Sequence, residues 1–168
     1  MAQSRKSGDK QLTFLITGGA GFLGHNLARF LLKKGCKVRT IDLGPFDYPD
    51  IKGVQHFIGD IRNKDALRSA ATGADIIVHA AAALPLWKPE DIKSANINGT
   101  KTVLEVAEEL GIDRVVHISS TAVYGIPDHH PLYETDKMQG VGPYGESKVV
   151  AEKIAQSYRN RMCVPILR

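Results

Sequence analysis

Apolar, β-branched runs alternate along the chain with stretches whose apolar residues recur every three or four positions. The runs near 12–17, 37–42, 54–58, 75–79, 113–119 and 163–167 read as strands, and helical spacing falls near 22–34, 63–71, 90–110 and 144–160. The strands are nearly continuous in apolar residues, as in sheets covered on both faces. Strand and helix in alternation predict an α/β fold: a Rossmann-like, doubly wound parallel sheet of about six strands with right-handed crossovers.

Two places break the rhythm. Between Asp42 and Val54 the segment Leu43-Gly44-Pro45-Phe46-Asp47-Tyr48-Pro49-Asp50-Ile51-Lys52-Gly53 holds two prolines and two glycines, so a short loop or single turn is expected there instead of a helix. The last run, Cys163-Val164-Pro165-Ile166-Leu167, contains a proline that only an edge strand tolerates. With nothing following it, apolar surface on Val164, Ile166 and Leu167 is expected to lack part of its packing.

Composition narrows the class without naming it. The 168 residues are 43% hydrophobic and 24% charged, with a formal net charge of +4. That is ordinary globular composition, enough for one core. No apolar run is long enough to span a bilayer, and Met1 to Lys10 lack a secretory h-region. Residues 1–10 are expected to be a disordered tail or expression remnant, with 11–168 forming the folded domain. No basic stripe interleaved with aromatics points to nucleic acid. Cys36 and Cys163 sit in no metal or redox spacing, and His129-His130 reads as a surface loop, so no metal site is expected. Two reduced thiols fit a cytoplasmic protein.

The chemistry begins at Thr17-Gly18-Gly19-Ala20-Gly21-Phe22-Leu23-Gly24. A glycine-rich turn between a strand and a helix lets backbone N–H groups approach a pyrophosphate at a helix N-terminus. Asp42 closes the second strand, where an acid meets an adenosine ribose, and Leu43 and Gly44 beside it supply no cation. Such an acid favours NAD over NADP, because it repels a 2′-phosphate. Ser119-Ser120-Thr121 ends the fifth strand, on the side where open α/β sheets bind ligands; as an isolated motif it more often reads as a helix cap or turn. Tyr144 and Lys148 stand four apart on a helix and share a face. An ammonium beside a phenol stabilises the phenolate, so Tyr144 is a candidate base for a substrate hydroxyl.

In order along the chain, these elements resemble the extended short-chain dehydrogenase/reductase family, of the NAD-dependent epimerase/dehydratase type. The similarity rests on Thr17-Gly18-x-x-Gly21-x-x-Gly24, Gly59-Asp60-Ile61-Arg62, His79-Ala80-Ala81-Ala82, Asn96-Ile97-Asn98-Gly99-Thr100, Ser119-Ser120-x-x-Val123-Tyr124-Gly125 and Pro143-Tyr144-Gly145-x-Ser147-Lys148. The resemblance implies that Gly18, Gly21 and Gly24, with Phe22 and Leu23, form the pyrophosphate turn. It implies that Asp42 holds the ribose, that Asp60 and Ile61 flank the adenine, and that Ala80, Ala81 and Ala82 line the cofactor. Ser120, Tyr144 and Lys148 would be the catalytic group, Lys148 also bonding the nicotinamide ribose. Asn96 would support the site geometry, and His79 and His117 would pack or hydrogen-bond.

Family members run to about twice this length, so the chain is expected to stop before the C-terminal substrate lobe and to lack turnover alone. Thr121 and Ala122 follow Ser120, where the family's dehydratases carry acids, which disfavours water elimination. A sugar-nucleotide epimerase remains the leading expectation, acting on a small-molecule substrate such as a nucleotide sugar. A hydroxysteroid- or flavonol-type reductase and a non-catalytic dinucleotide-binding module are the alternatives. Trp87, in Leu84-Pro85-Leu86-Trp87-Lys88-Pro89, either leans over the nicotinamide end or packs. A homodimer through the helices around 90–110 and 144–160 is implied by analogy.

Overall fold

The computed structural model describes residues 10–168; the expected tail, 1–10, lies outside them except for Lys10, which pairs with Asp75. Six parallel strands form one sheet in the order β3-β2-β1-β4-β5-β6. They are β1 (Thr13–Thr17), β2 (Lys37–Asp42), β3 (Val54–Ile58), β4 (Ile76–His79), β5 (Arg114–Ile118) and β6 (Ile166–Leu167). The helices are α1 (Phe22–Lys33), α2 (Lys64–Ala71), α3 (Pro89–Lys93), α4 (Gly99–Glu109) and α5 (Gly142–Ser157). The order reverses between β1 and β4, which opens a crevice at their carboxyl ends.

The sheet is packed on both faces, unequally. Leu15, Ile77 and Val115 meet Leu67 of α2, Leu104 of α4 and Ala155 of α5 on one side. On the other, Ile16, Val38 and Val78 meet Ala28 and Leu31 of α1, with Phe46 of the β2–β3 connection alongside. That connection has no helix, as its prolines and glycines predict. Asn63 caps the start of α2: its side chain accepts from the N–H groups of Asp65 and Ala66 at 3.1 Å each, a cap worth about 1 kcal/mol.

Three expectations are modified. The helical stretch 90–110 is interrupted: α3 and α4 are joined by one wider π turn, Ser94–Asn98. The last strand is shorter than its apolar run, because Pro165 has no N–H to offer. Its carbonyl still accepts from His117 N at 2.9 Å, and Cys163 makes an isolated bridge to Arg114. Val164 is buried against the core, contrary to the expectation of missing packing; Leu167, at 54%, is the residue left exposed.

Candidate active site and dinucleotide cleft

Gly18 has φ +71°, and a Cβ there would stand 2.8 Å from the backbone of Ala81. Only glycine lets the turn after β1 lie this close to the segment after β4. A Cβ on Gly24 would meet the Gly18 carbonyl at 2.2 Å, so helix and turn also need glycine there. α1 starts after Gly21 with no side-chain cap and no acid in its first turn. Its first N–H groups therefore remain for an outside anion, as a pyrophosphate cradle requires. Tyr48 of the β2–β3 loop holds this turn in place: its hydroxyl donates to Ala20 O at 2.7 Å, and its ring stacks on His25 with centroids 4.0 Å apart.

The turn opens into a cleft of about 590 Å³. Gly18, Gly21, Phe22, Leu23, Gly24, Asp42, Asp60, Ile61, Ala80, Ala81 and Ala82 all line it. Asp42 accepts from Ala20 N at 2.9 Å and Leu43 N at 2.7 Å, which aims its carboxylate and leaves each oxygen a further lone pair. Asp60 takes the Arg62 guanidinium at 2.5 Å and the Arg62 N–H at 2.8 Å. The Arg62 side chain holds the Asp60 carboxyl below its ordinary range, against burial. Arg62 also donates to Ser94 Oγ at 3.0 Å, tying the turn after β3 to the π turn. Trp87, Asp91 and Ala95 border the same cleft.

Ser120, Tyr144 and Lys148 do not line this cleft: Ser120 follows β5, and Tyr144 and Lys148 lie on α5. α5 carries Tyr144 and Lys148 one turn apart, Tyr144 partly exposed and Lys148 buried. Lys148 Nζ donates to Ile118 O at 2.8 Å, immediately before Ser119-Ser120. Burial lowers Lys148 to about 8, opposed by the charge of Glu152. Ser120 accepts from Ala122 N at 3.1 Å and so caps a short 3-10 turn, Thr121–Tyr124. The cap holds the hydroxyl oxygen by one lone pair and leaves its proton to donate.

Asn96 is buried and works as a cross-link. It accepts from Ala83 N at 2.8 Å and donates to Ser147 Oγ at 3.0 Å, joining the β4 loop to α5. His79 hydrogen-bonds Thr17 Oγ1 at 2.8 Å and Thr100 Oγ1 at 2.9 Å. The Thr100 hydroxyl already donates to Asn96 O at 2.6 Å, so it accepts from His79 Nε2–H, and Nδ1 is the acceptor from Thr17. Burial, with His117 and Lys148 nearby, keeps His79 neutral, its pKa far below ordinary. His117 is 1% exposed, and neither ring nitrogen has a partner. Burial and then Lys148 push it down to about 4.

The residue the sequence reading missed is Glu152. It follows Tyr144 and Lys148 at the same spacing of four, and it is 1% exposed. Ser119 Oγ donates to it at 2.7 Å, and Arg168 forms an ion pair with it at 2.5 Å. Burial raises the Glu152 carboxyl, but the bonds from Arg168 and Ser119 outweigh that and hold it below its ordinary value. Arg168 also donates to Tyr124 Oη at 2.6 Å and Glu134 O at 2.9 Å. The periodicity of α5 marked the position; Arg168, distant in sequence, had no readable link to it.

The family model for the NAD dependent epimerase/dehydratase family matches residues 14–167. The chain belongs to the NAD-dependent epimerase/dehydratase family. The chain is similar to 3 beta-hydroxysteroid dehydrogenase/Delta 5-->4-isomerase of Mycobacterium tuberculosis, 33% identical over 89% of this chain and 45% of that protein. UDP-glucose 4-epimerase of Halalkalibacterium halodurans is 32% identical over 85% of this chain and 45% of its own length. Among solved structures, UDP-glucose 4-epimerase from Brucella ovis in complex with NAD superposes with a TM-score of 0.86 at 25% identity, covering 94% of this chain and 51% of that one. The chain thus spans about half the length of the relatives it matches. Among the described residues no helix is long and apolar enough to cross a membrane, and no cluster of three metal-ligating side chains occurs.

Proposed function

We propose that the protein carrying this chain is an NAD-dependent oxidoreductase acting on a hydroxyl or ketone carbon, and that it is a nucleotide-sugar epimerase. The observation that carries the reading is the bond of buried Lys148, one helical turn after Tyr144, to Ile118 O at the end of β5, two residues before Ser120, in a fold whose glycine-walled cleft carries an acid after β2. The cleft residues fit the dinucleotide: uncapped N–H groups at α1 suit the pyrophosphate, and the Asp42 carboxylate suits the ribose hydroxyls. NAD, when bound, supplies a reversible hydride acceptor.

The remaining work falls to side chains of this chain. Ser120 donates to the substrate oxygen, which orients it toward Tyr144. Tyr144 Oη takes the hydroxyl proton as the carbon is oxidised and returns it on reduction. Lys148 provides positive charge one helical turn away and favours the phenolate. Thr121 and Ala122 offer no acid or base for elimination, so the chemistry stays at oxidation and reduction.

The same three residues serve a secondary-alcohol or ketone dehydrogenase, a reading favoured by the hydroxysteroid dehydrogenase relatives. The test is calorimetry with NAD on this chain, then turnover by the full-length protein over UDP-sugars and secondary alcohols. Tyr144→Phe should abolish most turnover and leave NAD affinity nearly unchanged. Interconversion of UDP-sugars without net NADH supports the epimerase; NADH formation from alcohols alone supports the dehydrogenase. NAD binding with no turnover on either panel would refute both and leave a binding module. Undiminished activity of Tyr144→Phe would show that the proton goes elsewhere.

A further inference from the structure

The cleft has two ends, and the sheet order says which is which. The glycine turn follows β1, Asp42 follows β2, and the turn Asp60–Arg62 follows β3. A dinucleotide whose pyrophosphate sits at α1 and whose ribose sits at Asp42 therefore points its base beyond β2, toward Ile61 and Arg62. The nicotinamide half points the other way, toward β5 and α5, where Ser120, Tyr144 and Lys148 stand outside this cleft.

Trp87 comes from the loop after β4 but belongs to the base end. Three contacts bring that part of the chain back over the β3 turn. Arg62 donates to Ser94 Oγ at 3.0 Å. Asp91 adds its attraction to the Arg62 charge. The helical run is so close to Ile61 that a Cβ on Gly99 would fall 2.4 Å from the Ile61 Cδ1. Trp87 precedes Asp91 by four residues and borders the cleft with it. The Trp87 N–H is fixed by a bond to Leu84 O at 3.1 Å, yet the residue remains 47% exposed. A large indole, half open to solvent in a cleft that Ile61 and Ala95 also line, suits a planar heteroaromatic ring.

We infer that Trp87 forms the aromatic wall of the site for the purine base of the bound dinucleotide. Stacking of a base on an aromatic side chain is sequence-tolerant and of useful strength, because each presents a π face. The inference rests on the NAD reading above. It moves Trp87 from the nicotinamide end, one of its two expected positions, to the adenine end.

Trp87 is the only tryptophan in the chain, so its emission reports the site directly. NAD and AMP should both quench that emission, and nicotinamide mononucleotide should not; Trp87→Phe should lack the signal. By calorimetry, Trp87→Ala should weaken NAD about tenfold, equivalent to ~1.4 kcal/mol, while Trp87→Phe stays within about threefold because a ring is kept. Circular dichroism establishes that both variants fold, as expected for a half-exposed loop position. Quenching by nicotinamide mononucleotide alone, or wild-type NAD affinity in Trp87→Ala, would overturn the inference and leave the cofactor reading standing. No heat with NAD in the wild type would overturn both.

Discussion

Lys148 should make the protein more stable as the solution becomes alkaline. Burial lowers its ammonium to about 8, against 10.5 for an ordinary lysine. Below about pH 8 both the folded and unfolded chains carry the proton, and the cost of burying the charge is felt in full. Between about 8 and 10.5 the folded chain has shed a proton that the unfolded chain still holds, so stability rises with pH in that window. A gap of about 2.5 pH units at ~1.36 kcal/mol each is on the order of 3 kcal/mol. Lys148 is 4% exposed, so little solvent screening reduces this figure. The charge of Glu152 already opposes the cost and is contained in the net value. The assay is urea unfolding of wild type and Lys148→Met from about pH 7 to about pH 10.5, followed by circular dichroism. The difference between the two proteins cancels the other titrating groups. It should move in favour of the wild type by about 3 kcal/mol across the window, with Lys148→Met at least as stable near pH 7. A difference that stays flat, or moves the other way, would refute the reasoning. NAD binding by Lys148→Met should be weaker, since a buried cation kept at such a cost implies a use for it.

His117 works at the acid end of the scale. Its folded value of about 4 lies below the ordinary 6.5, so stability should fall as pH drops from about 6.5 to about 4, and His117→Leu should flatten that slope. With both ring nitrogens unpaired, the same variant should be neutral or stabilising by ~1 kcal/mol near pH 7 in thermal melts; a loss above ~2 kcal/mol would show a missing partner. Asp42→Ala should weaken NAD and narrow its advantage over NADP in calorimetry, whereas tighter NADP binding by the wild type would sink the ribose assignment. Glu152→Ala strands Arg168 and should cost about 3 kcal/mol, which is roughly 10 °C in melting temperature for a chain of this size; an unchanged melt would mean that the buried pair contributes nothing.

The element order was legible because parallel strands covered on both faces must be apolar throughout, and Phe14 to Ile16, Ile76 to Val78 and Val115 to Val116 are. Boundaries agreed to within three residues, apart from β6, which Pro165 shortened, and the long helix, which the π turn divided. A π turn leaves no mark in apolar spacing that a regular helix would not also leave. The cleft was legible in part. Glycines and terminal acids announce backbone geometry at fixed offsets from strands, so Gly18, Gly24 and Asp42 could be placed from spacing. Asp60 carried a resemblance but not its partner, because Arg62 and Ser94 meet only through the fold. Glu152 and Arg168 were silent for the same reason: a buried charge pair is visible in sequence only when its members are local.

The π turn at Ser94–Asn98 also sets an angular offset within one rod. Each residue of an α-helix advances the side-chain direction by about 100°, and a π turn amounts to one residue more than the regular repeat. α4 has its direction fixed by Val103, Leu104 and Ala107 against the sheet. α3 is free of that phase, so Ile92 can be buried while Asp91 faces the cleft. Rewinding 94–98 as regular α-helix, with every residue kept, would turn α3 by about 100° about its own axis. Trp87 and Asp91 would leave the cleft although no residue bordering it had been changed. The width of one turn thus acts as the gear between a helix that belongs to the core and a helix that belongs to the ligand.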